Sequence, residues 1–221
     1  MLDTQQLAID IAYRKQLTYL LHVPPYYDGK TPQPLLIFLH GSGERGPKAD
    51  HLTKFGPAQR ITQGDDLPFI VLTPQCPAHE RWEQNMREVL QLIDHVQANY
   101  AVDPARVYLT GFSMGAYGAW VLAWHHRERF AALATVANGL QAADIALAVP
   151  TLKTLPCWVF HGEQDAAIPM KKSTEMVKAL KTVGGDVKLT LYPDCGHEAP
   201  TFTYNDPELY AWFLRQTHHA G

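Results

Sequence analysis

The sequence predicts an α/β protein built on a mostly parallel, doubly wound sheet of about eight strands. Three observations predict it. From Pro34 onward, short apolar runs alternate with helical stretches. Those runs are apolar on both faces, as strands covered by helices on each side must be. Before Pro34, apolar residues instead recur with a period of two, the mark of half-buried strands.

Taken in order, Gln6–Arg14 and Gln16–Val23 read as two strands, with Tyr19, Leu21 and Val23 on one face. Pro24-Pro25 and Asp28-Gly29 close them as a turn. They are expected as an antiparallel hairpin at one edge of the sheet. The strands that follow are Leu35–Leu39, Phe69–Thr73, Arg106–Thr110, Ala131–Ala137, Cys157–Phe160 and Val187–Tyr192. Helices are expected over Trp82–Asn99, Met114–His125, Met170–Val183 and Pro207–Gln216. The connection 41–68 is too long for a plain loop, so a short helix is expected near Ala49–Phe55 within a functional loop. Gly139–Pro156, by contrast, has room for one small helix at most. No repeat or low-complexity linker divides the chain, and 1–221 reads as one domain.

The formal charge of −3 is spread as mixed signs, with no basic run for nucleic acid and no basic amphipathic helix for a membrane surface. The apolar runs are strand-length, far short of a membrane span. Met1-Leu-Asp-Thr-Gln-Gln has no basic stretch followed by an apolar one, so the expectation is a cytoplasmic protein. A secreted protein or excised domain whose signal is already removed fits the same residues. Cys76, Cys157 and Cys195 are too few and too odd in number for a disulfide framework; reduced thiols are expected, with a single bridge left open.

The chemistry is concentrated in four places. Gly111-Phe-Ser-Met-Gly115 follows the apolar strand Val107–Thr110 and opens a helical run. A nucleophile on a sharp strand-to-helix turn needs this pattern: glycines two before and two after let the chain turn tightly, and the helix N-terminus favours developing negative charge. Ser113 is the candidate nucleophile; a glycine-rich turn that only packs closely is the alternative. Leu39-His-Gly-Ser-Gly-Glu-Arg-Gly46 ends the first parallel strand. A tetrahedral oxyanion needs two preorganised N–H donors. Met114, next to the nucleophile, is expected to supply one, and Ser42 the other, with Gly43 in reserve. The loop lacks the lysine of a phosphate-binding loop and the glycine spacing of a dinucleotide site.

Asp165, in Phe160-His-Gly-Glu-Gln-Asp165, and His197, in Asp194-Cys-Gly-His-Glu198, each follow an apolar strand. Serine is a poor nucleophile without an adjacent imidazole, and the imidazole needs a carboxylate to fix its tautomer. Ser113, Asp165, His197 is the chain order of an α/β-hydrolase triad. Glu163 and Asp194 are rival carboxylates. Glu163 falls too soon after its strand, and Asp194, three residues from His197, suits a local turn bond. His40 and His161 precede glycines and read as turn or supporting residues, and the pairs at 125–126 and 218–219 as solvated helix ends. No Cys-x-x-Cys or His-Glu-x-x-His spacing suggests a metal site, and a cysteine nucleophile at Cys195 would leave the serine elbow idle. Trp82 and Tyr117 are candidate pocket residues; Tyr117 alternatively packs one helical turn into the core.

These motifs, with Pro74-Gln-Cys-Pro77, Arg81-Trp82 and Thr110-Gly-Phe-Ser-Met-Gly-Ala-Tyr-Gly-Ala-Trp120, resemble the small, cap-less α/β-hydrolase esterases of the phospholipase/carboxylesterase and "predicted peptidase" groups, feruloyl esterases among them. The resemblance runs from about Tyr19 to the C-terminus and departs at Ala116 and Asn138-Gly139. It implies an α/β-hydrolase fold without a cap domain, ester hydrolysis through an acyl-enzyme, and no cofactor. The expected substrate is a small or polymer-linked ester, with a short acyl chain or a compact aromatic acid. Peptidase or thioesterase action by the same triad stays open, as does a non-catalytic binding module on this fold.

Overall fold

A computed structural model describes residues 15–218; the expected strand over 6–14 and His219 lie outside them. The chain runs β1 (Tyr19–His22), β2 (Gln33–Leu39), α1 (Gly56–Thr62), β3 (Ile70–Pro74), α2 (Met86–Asn99), β4 (Val102–Phe112), α3 (Met114–His125), β5 (Ala132–Val136), α4 (Ala142–Leu152), β6 (Cys157–Gly162), α5 (Lys171–Thr182), β7 (Val187–Tyr192), α6 (Ala199–Asn205) and α7 (Pro207–Leu214). The strands form one sheet in the order β1-β3-β2-β4-β5-β6-β7. β1 is antiparallel to β3, and the other neighbours are parallel. Seven strands are described where about eight are expected, because the first strand of the expected hairpin falls outside the described residues.

The continuous apolar runs have a direct cause. Leu35, Ile37 and Leu39 of β2 face one core, with Val89, Ile93 and Val96 of α2 and Met176, Val177 and Leu180 of α5. Leu36 and Phe38 face a second core, with Tyr204 of α6 and Leu209 and Phe213 of α7. Successive strand side chains point to opposite faces, so a sheet covered on both sides needs apolar residues at every position. The helices answer with apolar stripes spaced by three and four.

The chain leaves β2 toward β3, then crosses back to β4 on the other side of β2. Where strand order reverses in this way, the carboxyl ends of the two strands splay their connections apart and open a crevice. Leu39 pairs in register with Gly111 there, so the motif loops at 40–46 and 111–115 emerge side by side.

Two expected elements differ, and one helix is new. The helix expected over Trp82–Asn99 breaks at Asn85 (φ −123°, ψ 12°) into a 3-10 turn, Trp82–Gln84, and α2. The helix expected near Ala49–Phe55 is a 3-10 turn over Ala49–Thr53, with α1 following it. α6 is unexpected, because Ala-Pro-Thr-Phe-Thr-Tyr-Asn holds two threonines and two aromatics, all weak helix formers. Burial of Tyr204 and Thr203 in the second core overrides that preference. The connection 139–156 is filled by α4. No helix among the described residues is long and apolar enough to cross a membrane.

Candidate active site

Ser113 stands alone between the end of β4 and the start of α3, with φ 55° and ψ −114°. A non-glycine residue in this region is strained, by about 1–3 kcal/mol. The flanking glycines make the strain sustainable. A Cβ on Gly111 would lie 2.3 Å from the Gly115 carbonyl oxygen, and one on Gly115 would lie 1.8 Å from that of Leu39. Only glycine lets the turn close on itself and on β2. Backbone bonds then lock it: the Ser113 N–H donates to Val136 O (2.9 Å), and the Ser113 carbonyl accepts from the Tyr117 N–H (3.2 Å).

Loops after three different strands deliver the partners. His197, on the loop between β7 and α6, has Nε2 3.0 Å from Ser113 Oγ and Nδ1 2.7 Å from Asp165 Oδ2. A carboxylate can only accept here, so Nδ1 carries the proton and Nε2 accepts from the serine hydroxyl. Asp165, on the loop after β6, has a fully buried side chain (0% exposed). Its Oδ1 accepts the N–H groups of Ala167 (2.9 Å) and Ile168 (2.8 Å). These bonds fix the carboxylate and satisfy the charge that burial would otherwise penalise. The Phe112 ring packs against the His197 ring at 4.8 Å and limits its rotation. Asp165 is thus the carboxylate at His197; Glu163 and Asp194 are both exposed.

The two expected oxyanion donors lie where the chain leaves β2 and β4 side by side. Met114 is the first residue of α3, so its N–H has no acceptor within the helix. Ser42 opens a 3-10 turn, Ser42–Glu44, and is exposed together with Gly43. His40 orients this loop. Its Nδ1–H donates to the Gly41 carbonyl (2.6 Å), while Nε2 accepts the Cys76 N–H (3.0 Å). Burial pushes its pKa down to about 4, which keeps the ring neutral and able to do both. In a trans peptide the carbonyl and the following N–H point opposite ways. With the Gly41 carbonyl drawn inward, the Ser42 N–H is turned away from His40. Gln75 adds a second fastening, donating from Nε2 to the Glu44 (3.1 Å) and Lys48 (2.8 Å) carbonyls.

Trp82 does not line a pocket. It is 1% exposed, its indole N–H donates to the His40 carbonyl (2.9 Å), and its Cβ fills the space left by Gly118. It is a post beneath the loop 40–46. Its place in the sequence carries no signal of this, because the room it occupies comes from a missing side chain on a distant helix. Tyr117 is half-buried one turn into α3, and burial raises its pKa, with Glu83 and Asp144 adding to the rise. All three cysteines are free and buried. Among the described residues no cluster of His, Cys, Asp and Glu is arranged to hold a metal ion.

Comparison with known proteins fits this geometry. Residues 75–211 match the model of the family described as "Dienelactone hydrolase family". A Salmonella typhimurium LT2 protein assigned as a carboxymethylenebutenolidase is 31% identical over 121 residues, covering 50% of this chain and 44% of that protein. Acyl-protein thioesterase 1 of Gibberella zeae is 27% identical over 117 residues, covering 51% of this chain and 48% of the thioesterase. A crystal structure of a thermostable esterase superposes with a TM-score of 0.79 at 30% identity, over 91% of this chain and 59% of that one. The chain therefore spans less than half the length of these curated relatives. The superposition identifies the architecture as the α/β-hydrolase fold.

Proposed function

Because the chain belongs to the dienelactone hydrolase family, we propose that it is a serine carboxylesterase acting on esters of short or compact aromatic acids. One observation carries the reading: an unbroken line of hydrogen bonds from Ser113 Oγ through His197 to the buried Asp165, beside a helix N-terminus. Ser113 attacks the ester carbonyl as His197 Nε2 takes its proton. The Ser42 and Met114 N–H groups stabilise the oxyanion. The imidazolium, held by Asp165, protonates the departing alcohol. Water then enters, loses a proton to the same nitrogen, and releases the acid from Ser113. His197 then returns that proton to Ser113 Oγ as the acyl bond breaks, restoring the starting state.

The substrate follows from the walls of the site. α4 alone fills the connection 139–156, and half-buried Phe55 packs on the buried Phe112 ring (5.8 Å) that lies against His197. Such a site suits a compact acyl group and leaves the alcohol side open to a small or polymer-linked leaving group. The free thiols support a cytoplasmic enzyme, and we read 1–221 as one domain.

A fluorophosphonate probe tests the nucleophile. It should label the wild type and not Ser113→Ala, and iodoacetamide pretreatment should leave labelling intact. The thiols are shielded: burial pushes Cys76 up to about 12 and Cys195 up to about 11. Turnover of matched esters, thioesters and peptides should favour the ester. Labelling of a cysteine, or a thioester or peptide turned over faster, would redirect the assignment.

A further inference from the structure

A second path of polar contacts joins Asp165 to Ser113, through three buried side chains that the triad does not use. His161, at the end of β6, is fully buried (0% exposed). Its Nε2 lies 2.9 Å from the Ile168 carbonyl and 3.5 Å from Asp165 Oδ2. Both are acceptors, so Nε2 carries the proton, and Nδ1 of the neutral ring must accept. Ser173 of α5, also 0% exposed, is placed to satisfy it, with Oγ 2.7 Å from Nδ1. Its one proton goes chiefly to Nδ1, and the Asn138 carbonyl, 3.3 Å from the same Oγ, takes the weaker branch of a three-centre bond. The Asn138 side chain then reaches the elbow: its Nδ2 donates to the Ser113 carbonyl (3.1 Å), and its Oδ1 accepts the Gly139 N–H (2.9 Å). The chain turns toward Asn138 at Ala137, just after β5, with a positive φ of 57°.

The arrangement answers a physical need. Ser113 is tied to the end of β5 by its N–H bond to the Val136 carbonyl, but Asp165 lies on a loop beyond the last paired residue of β6, outside the sheet ladder. His197 bridges them, but its ring moves protons and needs both neighbours already in place. Three buried polar side chains, each costly if left unpaired, are here paired with one another and with those two loops. We propose that His161, Ser173 and Asn138 are positioning residues that hold the acid loop in register with the nucleophile elbow, acting through Asp165 and the Ser113 backbone without touching substrate. This rests on the reading of Ser113 as nucleophile.

Ser173→Ala is the cleanest test, because it removes one hydroxyl from a buried site without adding bulk. With an ester substrate, kcat should fall about tenfold, since small displacements of reacting groups are expensive, while KM stays within about twofold. The low-field proton resonance of the His197–Asp165 hydrogen bond should shift or broaden, which a loss of stability elsewhere would not cause. His161→Leu should do the same, and His161→Gln, which keeps an N–H donor, should recover part of the rate. The proposal is overturned if folded Ser173→Ala keeps wild-type kcat, if its KM alone changes, or if the resonance stays put while kcat falls. Turnover surviving in Ser113→Ala would overturn the nucleophile assignment and this proposal with it. A dead Ser113→Ala beside an unaffected Ser173→Ala overturns this proposal alone.

Discussion

Gly115 presses so closely on the end of β2 that a Cβ there would lie 1.8 Å from the Leu39 carbonyl oxygen. That contact ties the elbow to the strand that leads into the loop 40–46, so the N–H groups of Ser42 and Met114, the proposed oxyanion donors, keep one spacing. Gly115→Ala therefore forces backbone apart, and we expect it to cost about 3 kcal/mol or more. Urea unfolding measures this. A variant as stable as wild type would mean that β2 and α3 separate freely.

Ser113 sits in backbone strain that glycine would not feel. Ser113→Gly and Ser113→Ala should both lose about 10⁴–10⁶ in turnover. They should differ in stability. Glycine releases the strain at the cost of a more flexible unfolded chain, leaving Ser113→Gly about 1 kcal/mol more stable than Ser113→Ala. Equal unfolding midpoints would argue that Ser113 relaxes in solution.

Stability should fall in mild acid because of His40. Its pKa is about 4 in the fold against 6.5 for an ordinary histidine. Between those values the unfolded chain binds the extra proton and the folded one does not, so stability is full above about 6.5 and is lost as pH drops toward 4. The loss is bounded at about 3 kcal/mol. Burial lowers His161 too, and it adds in the same direction. Urea midpoints across this window should slope in wild type and flatten in His40→Gln; parallel slopes would assign the effect to other groups.

Acyl chain length should be discriminated on the short side. Each exposed CH₂ forgoes about 0.8 kcal/mol of burial, and of the two rings packed beside His197 Phe112 is itself buried, leaving half-buried Phe55 as the exposed aromatic face. The segment 41–68 packs α1 against α6, with Arg60 donating to Asn205 (3.0 Å), so it stands beside the site, anchored to the rest of the fold. Across p-nitrophenyl esters from acetyl to palmitoyl, kcat/KM should peak at the short end, with no jump when substrate aggregates. A maximum at long chains would show that this segment closes over the site.

What was legible in the chain was whatever depends on local pattern. The elbow glycines, the strand preceding each site residue, and the order Ser113, Asp165, His197 are all properties of short stretches. Backbone geometry at such turns tolerates few residue types, so residue type reveals it. α6 was illegible for the opposite reason: Thr203 and Tyr204 are helical only because the second core buries them. Trp82 was misread as a pocket wall because an aromatic near a site looks the same whether it faces substrate or fills the gap at Gly118.

Local pattern in the chain specifies the sheet, most of its covering helices and the residue types at the candidate site, because hydrophobic period and turn chemistry act over a few neighbours. The tertiary structure alone decided which groups meet. His40 fastens the loop 40–46 through the Gly41 carbonyl, Trp82 fills the gap at Gly118, and His161, Ser173 and Asn138 lie between two loops distant in sequence. Hydrogen bonds act over about 3 Å, and only packing brings residues so far apart along the chain within that reach.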